Sequence, residues 1–148
     1  MYKRPVSDIK YLVVHHSVTG EGWTTDEIRY IHKCMGYSDI GYHFLVNWEG
    51  LKVGRCALYT GAHVIPEKPP YKYWNMNYLA LGLCIIGNYQ YNIPSKKVIN
   101  ETVYAIKRIC KKYNIPIDRK HILGHRRISR TVCPGIGTMP EIYKKLGI

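Results

Sequence analysis

At 148 residues the chain has the length of one domain with one core, and hydrophobic and charged fractions of 46% and 22% are globular values that exclude disorder and low complexity. A formal net charge of +12 points to a polyanion as partner or surface, whether nucleic acid, acidic membrane or anionic wall. No stretch approaches the roughly twenty apolar residues of a membrane span, and the run 11–14 is too short for the apolar region of a signal peptide. Synthesis in the cytosol without a cleaved signal is therefore expected. Five cysteines at 34, 56, 84, 110 and 133, an odd number without framework spacing, fit a reducing compartment.

The first predicted element is a buried strand over 10–17, because Tyr11-Leu12-Val13-Val14 is short, β-branched and apolar and runs into His15-His16. Side chains alternate along a strand, so these histidines face opposite sides. Thr24 with Glu27 reads as a capping box. The helix it opens has Ile28, Ile31, His32 and Met35 on one face and stops near Gly36, which makes His32 structural. Segments 42–48 and 51–53 flank Glu49-Gly50, a hairpin signal. Pro66, Pro69 and Pro70 make 64–78 an aromatic-rich loop.

Residues 79–86 form a nearly continuous apolar run, expected as a central strand covered on both faces. Pro94-Ser95 opens the longest helix. Ile99, Val103, Ile106, Ile109, Cys110 and Tyr113 face the core from it, and Asn114 and Pro116 close it. Lys107, Arg108, Lys111 and Lys112 share one face of that helix, either a solvated face or an electrostatic docking surface. A short strand over 121–123 and a helix capped by Thr138 with Glu141 and ended by Gly147 complete the chain. This alternation predicts an α/β fold: one domain over 1–148, with a mixed central sheet flanked by helices on both faces.

His15, His125 and Cys133 are a candidate set of zinc ligands. Zinc takes neutral imidazole nitrogen and thiolate sulfur, and a catalytic site uses three protein ligands and keeps a fourth position open. No Cys-x-x-Cys pair is available for a structural site. Alone, each histidine reads as a satisfied structural or surface residue and the cysteine as a small buried hydrophobe. The block from Gly124-His125 through Cys133-Pro134-Gly135, with Arg126, Arg127 and Arg130 around it, carries the weight. A second reading makes Cys133 a thiolate nucleophile paired with a histidine, which metal content would separate from zinc ligation. Charge alone would also suit nucleic acid, through phosphate contacts that weaken with salt. Zinc-finger and deaminase spacings are both missing, so nucleic acid is not expected as the main partner.

Five segments occur in order: Val13-Val14-His15-His16-Ser17, Gly41-Tyr42-His43-Phe44, Gly61-Ala62-His63, Leu81-Gly82-Leu83-Cys84-Ile85-Ile86-Gly87-Asn88-Tyr89, and the block His125 to Cys133 with Pro134-Gly135. Together they resemble the zinc-dependent N-acetylmuramoyl-L-alanine amidases of type two, the family shared by small bacteriophage lysozyme-amidases and peptidoglycan recognition proteins. The resemblance spans nearly the whole chain.

It implies one zinc ion per chain on His15, His125 and Cys133, with Tyr42 and Thr131 as catalytic residues that hold the attacking water or hydrogen-bond the developing oxyanion. Thr131 stands where phage members often carry lysine, so it offers a hydroxyl in place of a full charge. The implied substrate is peptidoglycan, at the amide between N-acetylmuramic acid and L-alanine, in an open groove. His16 and His63 are expected as substrate-binding groove residues, Trp74 as a surface for a sugar, and Arg126, Arg127 or Arg130 as partners for stem-peptide carboxylates. The small, basic chain is expected to be a phage or prophage endolysin concentrated on the wall by anionic polymers. The alternative is a non-catalytic muropeptide-binding module of the same fold.

Overall fold

The computed structural model describes residues 1–65 and 75–148, so the expectations for Trp74 and for most of the Pro-rich loop lie outside the described residues. Five strands form one mixed sheet in the order β3-β2-β4-β1-β5. β1 (Tyr11–His16) and β4 (Ala80–Ile85) sit at its centre and pair in parallel, with Tyr11 opposite Ala80 and His16 opposite Ile85. β5 (Ile122–Gly124) pairs parallel to β1 at one edge. β2 (Phe44–Asn47) pairs parallel to β4, and β3 (Gly50–Val53) closes the other edge as an antiparallel hairpin partner. Asn47 opposes Gly50, so the two-residue turn is Trp48-Glu49 and Gly50, at φ +110°, already begins the return strand.

The continuous apolar run of β4 is explained by cover on both faces. Leu81, Leu83 and Ile85 join Leu12, Val14 and the buried side of α3 (Lys96–Tyr113) and α4 (Thr138–Leu146) in the main core. Cys84 and Ile86 point the other way and meet Ile28 of α1 (Thr25–Cys34), Ile40 and Leu45. Helices therefore cover both faces, as the element pattern predicts.

α3 begins at a Ser95 cap that accepts the Val98 N–H, and it ends at Asn114 in the left-handed conformation (φ 53°); all six of its predicted core residues are buried. α1 opens with the predicted capping box, yet only Ile28 of its apolar face is buried, while Ile31 and Met35 stay exposed. Thr138 does not cap α4. It is the first helical residue, Gly137 is the cap, and the Thr138 hydroxyl donates to the Pro134 carbonyl at 2.9 Å. A four-residue helix, α2 (Met76–Leu79), covers the end of the segment expected to be loop and the first residue of the expected strand.

One buried cation organises the N-terminal segment. Arg4 is 2% exposed. Its Nε and Nη2 each donate to the Ala57 carbonyl at 3.2 Å, and Nη1 donates to Ala80 O at 3.0 Å and to Tyr78 O. Burial lowers its pKa to about 10, which leaves it charged at neutral pH. Beside it His43, buried on β2's approach, accepts the Gly82 N–H on Nδ1 at 2.9 Å and places Nε2 2.9 Å from the Tyr59 carbonyl. Burial is the main force holding that imidazole neutral, with a pKa of about 3, against the Tyr59 bond and with the Arg4 charge adding to it.

Candidate metal centre

His15 projects from β1 on the face of the sheet opposite α3, the side that alternation gives it when Leu12 and Val14 enter the main core. His125 follows directly from the edge strand β5 and starts a single helical turn, His125–Arg127. Cys133 returns because the loop closes on itself: the Arg126 N–H donates to the Cys133 carbonyl at 2.7 Å, and buried Ile128 anchors the bend. Parallel pairing of β5 with β1 places these residues beside His15, and the His16 N–H donates to the Cys133 sulfur at 3.4 Å. Ligand atoms of His15, His125 and Cys133 lie within 4.8 Å of one another, and no fourth His, Cys or carboxylate joins the group among the described residues.

The chemistry of this donor set suits zinc. Metal–ligand bonds of zinc length in a tetrahedron separate nitrogen from sulfur by about 3.5 Å, and Cys133 Sγ lies 3.8 Å from His15 Nδ1. The His125 Nε2 atom is buried without a hydrogen-bond partner among the described residues. Burial drives the His125 pKa down to about 4 and that of His15 well below the usual range, the neighbouring histidines adding to the shift in His15. Both rings are neutral at pH 7, the form that donates a lone pair. Burial also pushes the metal-free Cys133 thiol up to about 12, against the His16 N–H that favours its thiolate. A cation at the site would supply the stabilisation that the protein alone withholds from the thiolate.

Tyr42 lies one residue before buried His43, at the end of a segment tied to α1: the Gly41 N–H donates to His32 Nδ1 at 2.9 Å. Its ring centroid is 5.3 Å from that of His15 and 5.3 Å from that of His32. Burial first, then the Cys84 and Cys133 thiols, raise the phenol pKa well above its ordinary value, so Tyr42 is a neutral hydrogen-bond donor. Thr131 is partly exposed and its Oγ1 accepts the Cys133 N–H at 3.1 Å, which leaves the hydroxyl proton free to donate. His16 and His63, expected as groove residues, are only 4% and 7% exposed. His16 Nδ1 accepts the Tyr89 N–H at 3.0 Å, and His63 Nδ1 sits 3.0 Å from His15 Nε2. Both rings are held inside the protein by its own groups.

Sequence reading also passed over Arg55 and Asn77. Arg55 is 3% exposed and donates to the carbonyls of Asp39, Ile40 and Thr60, tying the residues just before Gly41-Tyr42 to the segment at Thr60. The Asn77 side chain accepts the N–H groups of His63 and Val64 at 3.0 Å and donates to Val64 O at 2.6 Å. Neither residue stands in a chemical motif; a cation or amide that spends its donors on carbonyls leaves no spacing to read.

Residues 5–136 match the N-acetylmuramoyl-L-alanine amidase family, and with the mixed sheet and its His-His-Cys cluster in place, the chain belongs to that family. Its relatives include both enzymes and recognition proteins. It is 27% identical to peptidoglycan-recognition protein 2 of Holotrichia diomphalia, over 93% of this chain and 73% of that protein. It is 27% identical to human N-acetylmuramoyl-L-alanine amidase, over 84% of this chain but only 22% of that longer protein. Among solved structures, the endolysin N-acetylmuramoyl-L-alanine amidase LysCS from Clostridium intestinale superposes with a TM-score of 0.78 at 27% identity, covering 100% of this chain and 91% of that one.

Proposed function

We propose that the protein is a zinc-dependent amidase that hydrolyses the bond between N-acetylmuramic acid and L-alanine in bacterial peptidoglycan, acting as a phage or prophage endolysin. The observation that carries this reading is the three-residue cluster of His15, His125 and Cys133 within 4.8 Å, with the Tyr42 ring against it. When bound, zinc supplies Lewis-acid polarisation of the scissile carbonyl and brings the pKa of water into the neutral range. The two imidazoles and the thiolate would hold the ion. Tyr42, protonated at working pH, donates a hydrogen bond toward the oxygen on which negative charge develops. The Thr131 hydroxyl, oriented by the Cys133 N–H, is a second donor that cannot supply a full charge. Likeness to a solved endolysin amidase over the whole chain supports the lytic role.

Anionic wall polymers are the proposed partners of the basic surface. A surface cleft of about 630 Å³ beside α4 is lined by Arg119, Arg126, Arg127 and Lys144 and by no carboxylate, and Arg126 directly follows the ligand His125. The competing reading, a recognition module that binds muropeptide intact, is favoured by the kinship with a recognition protein. Incubation of the protein with purified cell walls distinguishes the two. New alanine amino termini are expected to accumulate with zinc, stop on chelation and return when zinc is restored, and wall binding is expected to weaken as salt rises. Binding without new amino termini would assign the recognition role, and full release in excess chelator would remove the zinc mechanism.

A further inference from the structure

We propose that His63 is a positioning residue for the metal centre, holding the ligand His15 in the one tautomer and ring orientation that can bind the ion. The inference rests on the zinc reading above. His15 uses its two nitrogens in opposite directions: Nδ1 lies 3.8 Å from Cys133 Sγ, within the ligand cluster, and Nε2 lies 3.0 Å from His63 Nδ1. A neutral imidazole carries one proton, so an Nδ1 that offers its lone pair to a metal requires the proton on Nε2. That proton points at His63, whose Nδ1 must then accept it and whose own proton sits on Nε2. A ligand histidine with its second nitrogen bonded in this way is fixed in tautomer and ring plane.

The surroundings of His63 are built to keep the ring there. Asn77 grips the backbone on both sides of it, accepting the N–H groups of His63 and Val64 through one oxygen. The ring occupies a slot that two glycines create by lacking side chains. A Cβ at Gly82 of β4 would stand 2.7 Å from His63 Cγ, and one at Gly61 would stand 2.3 Å from Cδ2. The edge of the neutral His43 ring meets the ring of His63 with centroids 5.6 Å apart. His63 Nε2 finds no hydrogen-bond partner among the described residues, so the ring is held by its packing, by the contact with His15 and by a contact with the Ala80 backbone. The acceptor behind the ligand is a neutral imidazole in place of a carboxylate, and no negative charge is added to the centre by this contact.

The experiment compares the wild-type chain with His63→Leu and His63→Gln, whose amide oxygen can still accept a hydrogen bond. Zinc affinity is measured by competition with a chromophoric chelator, and the His15 tautomer of the metal-free wild type is read from imidazole nitrogen NMR. The expected results are a zinc affinity about 10–100-fold weaker for His63→Leu, substantial recovery in His63→Gln, and a wild-type His15 protonated on Nε2. Undiminished zinc affinity in His63→Leu, or a wild-type His15 protonated on Nδ1, would overturn the positioning role. Should His63→Leu fail to fold, the tautomer and the His63→Gln affinity still decide. A wild type that binds no zinc, whatever its tautomer, would instead remove the metal reading on which the proposal stands.

Discussion

Tyr42→Phe is expected to lower kcat for release of L-alanine amino termini by about a hundredfold to a thousandfold, the cost of one well-aimed oxyanion donor, while zinc content and Tm stay at wild-type values. The substitution removes a single oxygen from a partly buried ring whose packing against His15 and His32 is otherwise retained. Because burial and the neighbouring thiols keep this phenol protonated, its contribution is a donated hydrogen bond, and the acidic limb of the pH profile, where loss of a general base would show, should keep its wild-type position. Steady-state kinetics on purified cell walls, with metal content measured on the same samples, checks both parts. A kcat within a factor of about three of wild type would leave Tyr42 with no part in oxyanion stabilisation.

Arg4→Met is expected to destabilise the protein by about 3–5 kcal/mol, because it removes the donors that buried carbonyls rely on; at this chain length that is a fall in Tm on the order of 10 °C or more. Arg4 has no carboxylate partner among the described ion pairs. Its charge is solvated by the carbonyls of Ala57, Tyr78 and Ala80, which come from the segment after β3, from α2 and from the start of β4. Methionine matches the length of the stem but leaves those oxygens buried and unpaired. Thermal unfolding followed by far-UV circular dichroism tests this, and a Tm lowered by less than about 3 °C would show that the carbonyls find other donors.

The contrast between these two residues explains what could be read in the sequence. Strands and helices announce themselves through periodicity and caps: the apolar run into β4, the Ser95 start and Asn114 stop of α3, and the Thr24 capping box each follow from local chemistry. The clustering of His15, His125 and Cys133 was legible because only a few side chains bind zinc and their flanks are distinctive. The roles proposed for Tyr42 and Thr131 come only from a family pattern, since nothing in their spacing specifies an oxyanion donor. Arg4 carries no sequence signature, because a guanidinium spent on carbonyls has no sequence partner. His16 and His63 were expected at the groove only through the family resemblance, and the space that encloses His63 comes from Gly61 and Gly82, positions whose meaning appears only once three segments meet. Likewise the exposure of Ile31 and Met35 on α1 reflects where that helix lands on the sheet, which its own amphipathic pattern does not contain.

The most direct test of the account is the metal content of the purified protein, measured by inductively coupled plasma mass spectrometry after exhaustive dialysis. One zinc ion per chain, lost in Cys133→Ala, is the predicted result. A protein that carries no zinc after dialysis against buffer containing it, yet still releases alanine amino termini from cell walls, would contradict the account and return Cys133 to the role of a nucleophile.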